Sequence, residues 1–237
     1  NMKLKNTLRR GFTLVELLVV IAIIAVLAGL ATPAILKAKK NADKAKTISN
    51  AKQIGIALGE FDNNFDSYPS EETREALEDL GAEVPDGDTA NDYFAQLIIG
   101  DATDSEKIFY AKGVRGVKEG DDIINSRDDV LKAGECGFGY VMLAGNEALS
   151  ASYTRSATPL AVAPLKEGGT DPVFDDKAYN GEYVYLRGDN SVGTGLLDKR
   201  GEGKATIKGG KTLFTVGDDT IWEEDQPDVK MPKTRRD

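Results

Sequence analysis

The sequence predicts an α+β protein: one long N-terminal helix with a hydrophobic first half, then a C-terminal antiparallel sheet with short helical insertions. Three observations predict it. From Leu17 to Leu36 the chain runs 20 residues without a charge. A helix rising about 1.5 Å per residue covers about 30 Å over such a run, the hydrocarbon thickness of a bilayer. From Ile35 to Phe65 apolar residues recur at every third or fourth position, which is helical spacing. Beyond Gly137 the period changes to short β-branched and aromatic runs separated by turn residues.

Charge divides the chain in the same way. The 237 residues carry 30 Lys/Arg and 39 Asp/Glu, a net of −9. Residues 1–46 hold nine of the bases and two of the acids, a net of +7. That leaves 21 bases and 37 acids, a net of −16, for the rest. A domain so acidic repels nucleic acid, whereas the basic part flanks the apolar run, where lysine and arginine meet lipid headgroups. There is no histidine and a single cysteine, Cys136. These facts exclude a histidine triad, a Cys-His dyad, histidine zinc sites and any intrachain disulfide. Cys136 reads as a buried small hydrophobe.

A basic cluster before an apolar run also fits a secretory signal cut near Ala31 or Ala34, a twin-arginine signal on Arg9-Arg10, or a plain anchor. The run exceeds the usual h-region of roughly 7–15 residues, and Glu16 stands at its entrance. A plain anchor explains the length but not the acid. Gly11-Phe12-Thr13-Leu14-Val15-Glu16, followed by Leu17-Leu18-Val19-Val20-Ile21-Ala22-Ile23-Ile24, closely resembles the class III (prepilin) signal of type IV pilins and type II secretion system pseudopilins. The resemblance implies cleavage between Gly11 and Phe12 by a prepilin peptidase and N-methylation of Phe12. It makes Glu16 the assembly glutamate and Pro33 a family proline, expected to kink the helix because it removes a backbone donor.

Physical chemistry agrees with that role for Glu16. A carboxylate facing hydrocarbon costs a few kcal/mol and persists only with a partner. Phe12 and Glu16 are four residues apart, one helix face and about 6 Å along the axis. An amine exists at Phe12 only after cleavage. In the family the pair forms between neighbouring subunits, a heterologous interface that does not close. Small residues Ala22, Ala25, Ala28 and Gly29 suit either close helix approach or ordinary apolar composition. Bases lie at both ends of the run, so orientation is not set by counting them. The resemblance puts the leader in the cytoplasm and the domain outside.

The elements then follow in order. Residues 1–11 are the leader, 12–36 the transmembrane and assembly helix, and 37–65 its amphipathic continuation. That continuation carries a stripe of Ala38, Ala42, Ala45, Ile48, Ala51, Ile54, Leu58, Phe61 and Phe65. Residues 66–217 form the soluble α+β domain. In it, Ser70 caps a helix over 71–80 ended by Gly81, 91–99 is a second helix ended by Gly100, and 126–133 a third ended by Gly134. Strands are expected at 137–143, 160–165, 182–186, 191–197 and 212–216. Arg187-Gly188-Asp189-Asn190 reads as a tight turn and not as an adhesion tripeptide. Residues 218–237 are expected to be polar and irregular, with Ile221-Trp222 docked.

No catalytic constellation is visible, so no enzyme activity is expected. Gly201-Glu202-Gly203-Lys204 and Gly209-Gly210-Lys211 lack phosphate-loop spacing and read as turns. Some pseudopilins bind calcium in a loop of the C-terminal sheet. Asp171, Asp175 and Asp176 are the candidates here, although Ca²⁺ takes about six to eight oxygens and their spacing matches no EF-hand. No other cofactor is expected. The resemblance implies a pseudopilin: a structural filament subunit of a type II secretion-like system, in the bacterial inner membrane with one span, polymerising into a periplasmic pseudopilus. Its implied partners are the prepilin peptidase, other copies and pilin-like subunits, and the inner-membrane platform with its ATPase. Two alternatives stay open. One is a surface pilus subunit for adhesion, motility or DNA uptake, and the other a membrane-tethered binding protein that borrows the signal.

Overall fold

The computed structural model describes residues 12–124, 126, 129–152, 154–198, 202–207 and 210–233. The expected leader, residues 1–11, lies outside them. The chain forms two compact units, residues 1–39 and 40–237.

The first unit contributes the beginning of helix α1 (Leu14–Phe65). Every residue from Phe12 to Lys39 is exposed. Pro33 lies within the helix, whose assignment runs through it unbroken. The hydroxyl of Thr32 donates to the Ala28 carbonyl at 2.7 Å, one turn back.

In the second unit, the rest of α1 buries a stripe that differs from the expected one. Asp43, Thr47, Asn50, Ala51, Ile54, Ala57, Leu58 and Phe61 face inward, whereas Ala42 and Ala45 are exposed. Toward its start the inward face is polar because the chain packed there offers polar partners. Thr47 shares a hydrogen bond with the Tyr179 hydroxyl at 2.7 Å, and Asn50 Nδ2 donates to the Lys107 and Tyr110 carbonyls at 3.0 and 2.7 Å. Toward Phe65 the face is apolar, with Ile54, Leu58 and Phe61 fully buried.

Helix α2 (Glu71–Asp79) starts at Ser70, which accepts from the Thr73 amide at 3.2 Å while the Thr73 hydroxyl accepts from the Ser70 amide at 2.8 Å. Helix α3 (Ala90–Ile99) is buried along almost its whole length. Phe94 stacks on Phe109 and meets Tyr140 edge-on. Of the third expected helix, over 126–133, the described residues show a 3-10 turn at Asp129, whose amide donates to the Ser126 carbonyl at 3.0 Å, and no α-helix from 129 on; residues 127 and 128 lie outside them. Leu131 takes a left-handed conformation there (φ 49°), and its amide donates to the buried carboxylate of Glu106 at 2.6 Å instead of to a carbonyl one turn back. A 3-10 turn occupies Glu106–Phe109.

Five strands make the main sheet: β1 (Gly139–Leu143), β2 (Pro159–Ala163), β5 (Glu182–Arg187), β6 (Val192–Leu196) and β7 (Pro227–Lys230), in the order β6-β5-β2-β1-β7 and antiparallel throughout. A small pair, β3 (Leu165–Glu167) and β4 (Val173–Phe174), stands beside it. Arg187 to Asn190 form the turn between β5 and β6, with Asn190 left-handed (φ 60°) and its amide donating to the Arg187 carbonyl at 2.9 Å. In β6, Gly193 and Gly195 lie opposite Tyr185 and Tyr183, and a Cβ on either glycine would stand 2.5 Å from the facing ring. The tyrosines cover the bare backbone of the edge strand.

Two expectations about the C-terminal region are corrected. Thr212–Val216 is not a strand: Thr212 makes one isolated bridge, and Leu213 and Phe214 pack beside Trp222 in the second apolar cluster. The tail expected to be irregular supplies β7, which pairs with β1 from Tyr140↔Lys230 to Leu143↔Pro227. Lys230 pays the cost of burial with three acceptors, Asp88, Asp228 and Asn146.

The β5–β6 turn rests on α1 at Gly55. A Cβ there would fall 2.0 Å from Asn190 Oδ1 and 2.8 Å from a methyl of Leu186. Gly55→Val is therefore expected to lower unfolding stability by about 1–3 kcal/mol through overpacking. Chemical denaturation of the full chain in detergent measures it, and unchanged stability would show that the turn can lift away without loss.

Candidate functional site

Thr13 and Glu16 build the start of α1. The Thr13 amide and hydroxyl donate to Glu16 Oε2 at 2.8 and 2.7 Å, and the Glu16 amide donates to Thr13 Oγ1 at 3.2 Å. This is a reciprocal capping box, Thr at the N-cap and Glu three residues on, which satisfies donors that a helix start leaves open. Thr13-x-x-Glu16 was a sequence signal for it, one the emphasis on Glu16 alone passes over. Both hydrogen bonds accepted by the carboxylate use Oε2. Phe12 precedes the cap and is 80% exposed.

Behind the cap, α1 is long and apolar enough to cross a membrane, with none of its most apolar 18-residue window buried. Leu18, Val19, Ala22, Ile23, Val26 and Leu27 line a shallow apolar groove of about 340 Å³ on it. The site thus joins a carboxylate held at a helix start to an uncovered apolar surface directly C-terminal to it. Gly11 lies outside the described residues.

The other candidates are dispersed. Asp171 pairs with Lys204 at 2.6 Å, and Asp175 accepts from the Lys177 amide at 2.9 Å. Asp176 lines an open cleft with Asn180, Leu196, Lys204 and Thr206. Among the described residues no three metal-ligating side chains converge. Cys136 is fully buried, and burial pushes its thiol up to about 12, so it stays a protonated core residue at neutral pH.

Sequence reasoning missed a pair of fully buried carboxylates, Glu106 and Glu135. Glu106 accepts from the Leu131 amide at 2.6 Å and the Asp122 amide at 3.0 Å. Glu135 accepts from the Lys132 amide at 2.9 Å and pairs with Lys118 at 2.9 Å. They organise the chain between α3 and β1, and nothing in their spacing marks them.

Residues 6–32 match the prokaryotic N-terminal methylation motif, so the chain carries that motif at the head of an α+β fold. Particular relatives share the same end. The type II secretion system core protein G of Escherichia coli (strain K12) is 42% identical over 72 residues, 30% of this chain and 48% of that protein. The core protein G of Pectobacterium carotovorum is 41% identical over 64 residues, 27% of this chain and 41% of that protein. A fimbrial protein of Neisseria meningitidis is 40% identical over 68 residues, 29% of this chain and 40% of that protein. The chain spans less than half the length of these curated relatives. No solved structure matches it.

Proposed function

We propose that this chain is a pseudopilin, a structural filament subunit of a type II secretion-like system, and not an enzyme. A prepilin peptidase cuts it between Gly11 and Phe12 and methylates Phe12. The mature chain sits in the inner membrane with one span and its larger unit outside. The assembly platform and ATPase then extract it into a periplasmic filament of its own copies and other pilin-like subunits. The observation that carries this reading is the methylation motif over residues 6–32, laid on a helix whose apolar first part is wholly exposed. That surface is covered by lipid before assembly and by neighbouring helices afterward. Pro33 loosens the helix where it passes from one setting to the other. Calcium, where present, would be a structural ligand of the acidic unit.

Mass spectrometry of the mature N-terminus tests the reading. Chain made with the peptidase should begin at N-methylated Phe12, and chain made without it should keep its leader. Any other mature terminus refutes the prepilin assignment.

Similarity to the Neisseria fimbrial protein favours a second reading, a surface pilus subunit. A deletion separates the two. Loss of protein secretion with surface filaments intact supports the pseudopilus, and the converse supports the pilus.

A further inference from the structure

Residues 107–118 carry four bases, Lys107, Lys112, Arg115 and Lys118, and no acid, in a unit that is otherwise strongly acidic. This loop is fixed to α1. Asn50 holds the Lys107 and Tyr110 carbonyls, and the Tyr179 hydroxyl donates to the Lys112 carbonyl at 2.9 Å. Three of the bases are committed within the chain: Lys107 to Asp122, Lys112 to Asp43 at 3.5 Å, and Lys118 to Glu135. Arg115 is exposed and has no ion-pair partner among the described residues. It stands between the partly buried Val114 and Gly116, whose positive φ of 75° turns the chain.

Beyond the end of α1 the charge reverses. Asn50 precedes Phe65 by about 22 Å of helix axis, and α2 begins shortly after. Thr73 and Leu77 bury its inner face, while Glu72, Glu75, Glu78 and Asp79 are exposed without an ion-pair partner among the described residues. Arg74, the base of this helix, is taken by Glu71 and Asp86. Glu78 and Asp79 also stand in the last turn, where no base offsets the negative end of the helix dipole. That end of α2 favours a cation, which the described residues do not supply.

We propose that these surfaces are the two halves of one interface between copies, with Arg115 of one chain set against Glu75, Glu78 and Asp79 of the next. The two patches differ, so copies joined this way make a heterologous, head-to-tail contact, the kind from which an open filament is built. The inference rests on the filament reading above and extends it to a contact of the soluble unit that fixes which copy stacks on which. An exposed charge pair acts mainly on specificity and is weakened by salt.

Full-length chain expressed with the peptidase and assembly machinery supplies the test, with sheared filament yield as the readout. Arg115→Glu and Glu78→Arg should each lower the yield about tenfold, the equivalent of about 1.4 kcal/mol per contact, and the two together should restore it. A second readout does not depend on yield. Arg115→Cys combined with Glu78→Cys should give a disulfide-linked ladder on oxidation, and each single variant should stay monomeric, because Cys136 is fully buried. Wild-type yield from both reversals, failure of the double reversal to rescue, or absence of the ladder would overturn the interface and leave the filament reading standing. Absence of filaments from correctly processed wild-type chain would overturn both.

Discussion

Glu16→Ala is expected to leave the chain in the membrane fraction and to abolish filaments. As a cap, Glu16 is replaceable. Losing a capping contact costs about 1 kcal/mol, and a 52-residue helix with a long apolar run does not melt or leave the bilayer for that. As a charge, it is not. Where the proposed cleavage frees an amine at Phe12, that cation would enter the apolar packing between subunits, and an uncompensated charge there costs several kcal/mol. The capping box would let the carboxylate serve both demands, since Thr13 engages only Oε2. Glu16→Gln separates the roles: it keeps an acceptor for the Thr13 amide and removes the charge. We expect Gln to match wild type in helix content by circular dichroism and Ala in filament yield. Normal filaments from the Gln variant would make Glu16 a cap and nothing more.

Glu106→Ala is expected to cost about 3 kcal/mol or more in unfolding stability. It leaves the buried Leu131 amide without its acceptor, at about 1–3 kcal/mol, takes a second hydrogen bond from the part-buried Asp122 amide, and opens a cavity besides. Glu106→Gln should fold and differ in its response to pH. Burial raises the Glu106 carboxyl above the ordinary range, and the nearby acids Glu135 and Asp121 add to the rise, against the amides of Leu131 and Asp122. The folded state therefore binds this proton more tightly than the unfolded one. Stability from this group is full below the unfolded carboxylate range and falls as pH rises through the folded value. Denaturant midpoints between acid and neutral pH should decline less for the Gln variant than for wild type. Parallel profiles would mean that Glu106 binds its proton equally well in the folded and unfolded states.

The parts legible in the sequence are those governed by local rules. The apolar run, the Ser70 cap, the helix stop at Gly100 and the Arg187–Asn190 turn each follow from a few adjacent residues. The parts that were not legible depend on partners far along the chain. A helix over 126–133 fits local propensity, yet Glu106 takes the Leu131 amide from 25 positions away. Pro227-Asp228-Val229-Lys230 reads as polar tail because its lysine is polar, but its carboxylate and amide partners are 142 and 84 positions upstream, at Asp88 and Asn146. Ala42 and Ala45 follow a helical stripe in sequence, but polar partners from residues 107–110 and 179 turn Asn50 and Thr47 inward instead. At the functional end the methylation motif is legible in adjacent residues, and the Thr13-x-x-Glu16 spacing announces the capping box as well.

Strand β7 has a consequence for the order of events during synthesis. Ribosomes make chains from the N-terminus, so β1 emerges more than 80 residues before the strand that covers its flank. Throughout that interval one side of β1 presents unpaired amides and carbonyls, a template for pairing with any extended chain nearby. A nascent chain of this protein cannot complete its sheet piecemeal as it appears. Until residues 227–230 arrive that edge stays open, and a product broken off before them is expected to aggregate.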